Sequence, residues 1–464
     1  MYIKENTFCT NNVNVNIELE KMKDGGEDFM RKKIIGLLLA TMTMTSLVGC
    51  GSSSANSTTE EGGTITIKML SRYSSDQGPD DITINKRIEE FMAENTNIIV
   101  EHEAIGDEST YNNMFKTSIA TGDAPDVFVN YGGTQFKEYV ESGLFYDLSK
   151  VAEEDTVWGD KYIESMLDAW KYEGVEGYYG VPFSCFATGL YYNKELFEEN
   201  GLEPPTTIEE FEKVCDEFLA KGITPFALGD KDNFRGAHLL ANLVLKRDGF
   251  DYTKSIIDGE TKWNDTAMKE VFELMNSWRE KGYLGENITT LDSSGEQSLF
   301  LNGDTPMHLN GSWFMNQVND SDNPERVGFI AFPYFEKYPE NKNNWHSGTS
   351  EGFSLSATNG EERLQASIKL LKYLTDEEAY NESQALSKGG IYPVTTMKEI
   401  DDITPIAKEF QAAFTDVNEA KLEPGDYAAK AQLREEIRDA IQGMFAGTSV
   451  DDTLARIQKV TDME

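Results

Sequence analysis

Cysteine and histidine are scarce in this chain: its 464 residues hold four of each. Cys9, Cys50, Cys185 and Cys215 share no C-x-x-C or zinc-type spacing, so neither a disulfide framework nor a structural zinc site is expected. His102, His238, His308 and His346 are scattered, with no H-E-x-x-H pair to grip a metal from one helix face. Walker and G-x-G-x-x-G loops are missing as well. Asp230 to Gly236 lacks the terminal Glu of a calcium loop and reads as a plain loop. No metal and no cofactor is expected, and no catalytic constellation presents itself. Positive charge is also short, with 42 Lys and Arg against 81 Asp and Glu, a formal net charge of -39. Such acidity argues against nucleic acid as a partner and against lying flat on an anionic bilayer.

One short apolar run is present. Met30-Arg31-Lys32-Lys33 opens it, Ile34 to Ala40 form its core, and Leu47-Val48-Gly49-Cys50 closes it. A charged start, a short apolar centre and a small residue before the cut make a secretory signal, too short to span a ~30 Å hydrocarbon core. The closing tetrad resembles a bacterial lipobox, which implies that Cys50 is lipidated and becomes the first mature residue. Residues 1–29 fit no part of such a signal, so translation is expected to start at Met30 and the preceding stretch to be an upstream extension. Residues 1–49 carry six basic and six acidic side chains, so the excess acidity lies downstream. After Cys50, residues 51–63 hold nothing apolar larger than Ala55, so 50–63 reads as the anchor and a flexible tether. Two acyl chains suffice for stable anchoring.

The remaining residues, about 400, exceed what a single core comfortably organises, so two lobes are the default. Thr64 to Leu70 alternates as a strand. A helix follows with Ile84, Ile88, Phe91 and Met92 on one face, then a strand at Ile98 to His102. A further helix (Tyr111, Phe115, Ile119) is expected to stop at Gly122, ahead of Pro125 and a strand at Asp126 to Val129. Strand–helix alternation of this kind predicts an α/β lobe with a mainly parallel sheet. Further strands are expected at Gly189 to Asn193, Thr224 to Leu228 and Thr305 to Asn310. Thr207 and Glu210 spell a capping box. Cys185 falls in a loop-like stretch and Cys215 in a helical pattern, and both read as free thiols.

Seven segments then line up in order: Thr121-Gly-Asp-Ala-Pro-Asp-Val127, Tyr179-Gly-Val-Pro-Phe183, Leu190 to Phe197, Pro204-Pro-Thr-Thr-Ile-Glu-Glu-Phe211, Gly222-Ile-Thr-Pro-Phe226, Gly303 to Met307 with Asn310-Gly-Ser-Trp313, and Gly352 to Ala357. Together they resemble extracellular solute-binding protein family 1, the carbohydrate-binding lipoproteins of ABC importers, related to maltose-binding protein. The resemblance covers 64–464. It implies a type II two-lobed clamp, each lobe a mainly parallel sheet flanked by helices. The lobes are discontinuous, the first over 64–183 and 333–385 and the second over 186–331 and 389–464, with crossings near Pro182, Pro333 and Gly389-Gly390. It also implies a non-catalytic monomer outside the cell, held by its lipid anchor and delivering a mono- or oligosaccharide to membrane permease subunits. The same clamp around a peptide or polyamine is the alternative, and a surface glycoside hydrolase the more distant one.

A sugar offers apolar ring faces and a hydroxyl rim, so aromatic planes and short polar side chains are sought together. Strand-end loops line the cleft in α/β lobes. This nominates Ser71, Arg72 and Tyr73 after the first strand; Asn130, Tyr131 and Gln135 after the third; Ser184 and Phe186 at the first crossing; Asn233 and Arg235; and His346, Ser350 and Glu351. Trp313 matches a stacking tryptophan of the family. The family's C-terminal stacking tryptophan falls near Leu433, where no aromatic stands in register.

Overall fold

The computed structural model describes residues 63–463 apart from 76–77 and 429–430; the expected leader, Cys50 and most of the tether lie outside the described residues. Two sheets organise the chain. The first runs in the order β2-β1-β3-β9-β4, built from β1 (Ile65–Ser71), β2 (Ile98–Ala104), β3 (Val127–Asn130), β4 (Val181–Pro182) and β9 (Gly352–Leu355). β1 pairs parallel to both β2 and β3, as the alternation predicts, while β9 is antiparallel to β3 and β4. The second sheet follows β10-β8-β5-β6, from β5 (Cys185–Asn193), β6 (Met307–Gly311), β8 (Asn344–Thr349) and β10 (Glu419–Lys421), with β7 (Val327–Ala331) also paired to β5. Here the mainly parallel expectation fails, because β5 is antiparallel to β6, β7 and β8. The reason is the path: β5 enters from the first sheet and β8 runs back beside it. α/β architecture holds in both sheets.

The chain leaves the first sheet at Phe183-Ser184 and returns at Ser350-Glu351. The two passages are hydrogen-bonded to each other: Phe183 N donates to Glu351 O at 2.8 Å and Ser350 N to Ser184 O at 2.8 Å. The first passage lies beside Pro182. The second comes well after Pro333, since residues 344–349 form β8 in the second sheet. Past Gly389-Gly390, Tyr392 and Val394 still pack into the first core.

Local sequence explains the elements that frame these sheets. Helix Pro79–Glu94 starts with proline at its first turn and Asp80 and Asp81 at its positive end, and buries Ile84, Ile88 and Phe91. Helix Glu108–Thr121 is capped by the Asp107 side chain and ends on Gly122, whose φ of 74° needs no Cβ. Helix Ile208–Ala220 carries the expected capping box, with Thr207 accepting from Glu210 N at 3.2 Å. Thr207→Ala should lower stability by about 1 kcal/mol, read from urea midpoints at unchanged slope.

Two expectations need correction. Thr224 to Leu228 is not a strand: a single bridge joins Phe226 to Met307, because Pro225 brings no N–H to a ladder. Cys185 is not in a loop but opens β5, buried; Cys215 is buried in its helix, and both are free thiols. One core packs the first sheet against helices Pro79–Glu94 and Glu361–Leu374, through Ile67, Ile84, Phe91, Leu370 and Leu374. A second, larger one gathers Phe211, Phe218, Leu240, Trp263 and Trp278 with Leu433 and Ile437, and two smaller clusters centre on Tyr191 and Phe115. Among the described residues no helix is long and apolar enough to cross a membrane.

Candidate functional site

The passages between the sheets carry a polar group at one end. Arg72, the residue after β1, sits 3.7 Å from Glu351 and 3.5 Å from Glu108, and donates to Gly106 O at 2.8 Å. It also donates to the Tyr131 hydroxyl, which in turn donates to Glu351 Oε1 at 3.3 Å. Arg72 and Glu351 keep 20% and 18% of their side-chain surface exposed, enough for each to meet a ligand hydroxyl while already positioned. Burial lifts the Glu351 carboxyl to about 7; Arg72 opposes the rise, and Asp80, Asp81 and Glu108 add to it. Asp80 is lifted to about 6 by the same cause, against the hydroxyl it accepts from Ser383. Gln135 sits in the short 3-10 turn Thr134–Phe136 after β3 and donates to Gly132 O at 3.4 Å, with no hydrogen bond to this group among the described residues.

An aromatic group occupies the second-sheet side. Phe186, the second residue of β5, has its ring centroid 5.5 Å from Trp313 and 5.2 Å from His346. Trp313 follows β6 and keeps 36% of its surface exposed. Its indole lies over Gly311, where a Cβ would come within 2.2 Å of the ring, so this glycine makes the placement possible. His238 completes the group, 6.0 Å from Trp313, 4.9 Å from His346 and 5.3 Å from Phe234. His346 is fixed by the Thr188 hydroxyl at 3.1 Å from Nδ1, and burial brings its pKa down to about 4, so it is neutral.

Buried Glu423 lies behind this group, and accepts from Arg434 at 3.3 Å and from Arg438 at 3.2 Å. Burial raises its carboxyl, but Arg438 and Arg434 outweigh that and hold it ionised. Arg434 also donates to Asp426 at 2.6 Å. A Cβ at Gly133, on the loop after β3, would stand 3.9 Å from that Asp426 carboxylate, so the two sides meet here.

The nominated residues therefore divide. Arg72, Tyr131 and Glu351 come together, as do Phe186, Trp313 and His346. Ser71 instead turns inward to His102 Nε2 at 2.7 Å, and Tyr73 packs edge-on to Phe183 at 6.3 Å in the first core. Asn130 is buried between Trp170, Gly132 and Ser354, with its amide oxygen accepting from the first two and its nitrogen donating to the third. Arg235 is buried against Glu296, 2.7 Å from Nε, and Asn233, at φ 64°, holds Asp439 at 2.6 Å. Ser184 and Ser350 join the passages through their backbones. His238 and Glu423 were not nominated; His238 falls three residues after Arg235, one turn along a helix that otherwise reads as core.

Gly348-Thr349-Ser350-Glu351-Gly352 also matches the G-x-S-x-G spacing of a hydrolase nucleophile. That motif needs a sharp turn from strand to helix. Here the segment passes from β8 straight into β9, strand to strand, so the serine is not on such an elbow. Among the described residues no group of three or more His, Cys, Asp or Glu is arranged to hold a metal ion.

Residues 86–413 match the family described as bacterial extracellular solute-binding protein. The multiple sugar-binding protein of Streptococcus mutans is 28% identical over 398 residues, 83% of this chain and 88% of that one. A chitin oligosaccharide binding protein superposes with a TM-score of 0.78 at 23% identity, covering 87% of this chain and 99% of that chain. A solute-binding protein solved with raffinose superposes at 0.67 and 21% identity, over 86% and 99%. These relatives are binding proteins, and the family match takes in β2 to β9 and both passages between the sheets. The chain belongs to the bacterial extracellular solute-binding protein family.

Proposed function

We propose that this chain captures a neutral mono- or oligosaccharide between two lobes, one around each sheet, and delivers it to the permease of an ABC importer from a lipid anchor at Cys50. The observation that carries this reading is the pairing of an aromatic group (Phe186, Trp313) with a preset Arg72–Tyr131–Glu351 group along one two-stranded passage. Cys185 pairs with Thr349 and Phe186 with Gly348, so Glu351 follows the Phe186 level by three residues, about 10 Å of strand. Rings cover sugar faces, and a carboxyl group and a guanidinium already set against each other meet hydroxyls as acceptor and donor. The multiple sugar-binding relative and the raffinose complex support a saccharide. Two lobes joined by adjacent passages suit closure, because only the closed form touches both sides of the ligand. Isothermal calorimetry with galactose, raffinose, maltotriose and chitotriose should return at least one tight binder. Folded protein that binds no member of a wider saccharide panel would falsify the reading.

Keeping Glu351 buried for a ligand has a cost that depends on pH. Its carboxyl rises from 4.5 to about 7 on folding. Between those values the folded state holds more protons than the unfolded one, so this group's contribution falls as pH rises through them and is lowest above 7. The full difference is about 3 kcal/mol. Glu351→Gln should therefore match wild type near pH 4, exceed it in stability at pH 8, and bind sugar more weakly. Urea titrations of both proteins across that range check the sign, which is wrong if the variant is the less stable at pH 8.

A further inference from the structure

Resting on the carbohydrate reading above, we infer that His238 is a specificity-determining residue of the site, donating its Nε2–H to a ligand hydroxyl beside Trp313. The tautomer follows from Arg235. Arg235 Nη1 lies 3.4 Å from His238 Nδ1, and a guanidinium only donates, so Nδ1 accepts and the ring proton sits on Nε2. Arg235 is held in place by Glu296, with side chains 1% and 0% exposed, so the imidazole is oriented from behind by a fixed group. Burial first, and then the neighbouring His346 ring and Arg235 guanidinium, each disfavour a second proton on His238 and lower its pKa well below the usual value, so the ring is neutral. Nε2–H is then a donor with no acceptor among the described residues, on a half-buried ring wedged between Phe234, His346 and the exposed Trp313. A donor left unpaired beside an aromatic platform is satisfied when a sugar ring packs on that platform and brings an oxygen to it. A sugar unable to place an oxygen there leaves the donor desolvated and unpaired, which is how such a group discriminates.

Two substitutions separate this role from packing. His238→Gln keeps a donor at the reach of Nε2, and His238→Phe keeps the ring and removes the donor. With the tightest binder among raffinose, maltotriose and chitotriose, calorimetry should give His238→Gln within about three-fold of wild type and His238→Phe at least roughly ten-fold weaker. A packing role gives the reverse order. Proton–nitrogen NMR of the wild-type imidazole needs no variant: saturating sugar should slow exchange of the Nε2 proton and shift its resonance. The reverse order, equal loss in both variants, or an Nε2 proton indifferent to sugar overturns the inference while leaving the carbohydrate reading intact. Wild-type protein that binds no saccharide removes both.

Discussion

Glu296→Ala should lower the stability of the folded protein by about 3 to 5 kcal/mol, as expected when one partner of a fully buried ion pair is removed. Arg235 donates to Glu296 Oε1 through Nε at 2.7 Å, and the other carboxylate oxygen accepts from Gly229 N at 2.7 Å. The variant therefore leaves a guanidinium and a backbone N–H without their acceptor in a place water does not reach. Burial raises the Glu296 carboxyl above its usual range even with Arg235 beside it, so the intact pair contributes little net stability. Breaking it and replacing it are thus different experiments. The double variant Glu296→Leu with Arg235→Met should recover much of the loss, because it removes both charges and keeps the volume. Urea denaturation at pH 7 measures both variants. A loss below 1 kcal/mol in Glu296→Ala would mean that the guanidinium finds other partners, and would undercut its role as the fixed support of His238.

The same residue shows where sequence reasoning stops. Arg235 reads from the sequence as part of a polar-aromatic loop, which makes it a reasonable ligand contact until its place at the start of the helix Arg235–Arg247 and its partner 61 positions away are known. Ser71, Tyr73 and Asn130 follow the same pattern. Each stands at the end of a strand, where a site is expected, and each is turned inward by a distant group: His102, Phe183 and Ser354 respectively. Arg72, Tyr131, Phe186, Trp313 and Glu351 were legible because charge or ring area at a strand end is costly to bury and is kept partly exposed. Helices were legible from local chemistry, as Thr207 and Gly122 show. β8 was not, since Asn-Trp-His-Ser-Gly-Thr neither alternates nor carries a β-branched run, and its extended form comes from pairing with β5 and β10. That segment decides where the second passage lies, so the crossing near Pro333 was misplaced for the same reason.

Trp313→Ala should weaken sugar binding by about 2 to 4 kcal/mol, the range of a truncated aromatic anchor. At 36% exposure the indole is a platform open to solvent on one side, and its removal leaves no sealed cavity, so folding should change by less than 1 kcal/mol. Trp313→Phe should lie between, since a smaller ring covers less of a sugar face. Phe186→Ala separates two versions of the site. Phe186 and Trp313 meet at 58°, too steep for both to lie flat on one sugar ring. If each ring serves a different unit of an oligosaccharide, the losses in the two single variants should add on raffinose or maltotriose, whereas galactose should feel only one of them. If Phe186 merely props the indole, its loss and that of Trp313 should not add, because once the indole is gone there is nothing left to support. Calorimetry on the two single variants and the double variant reads the difference directly. Unchanged affinity in Trp313→Ala would take the ligand away from this aromatic group and leave Arg72, Tyr131 and Glu351 as the part of the site still to be explained.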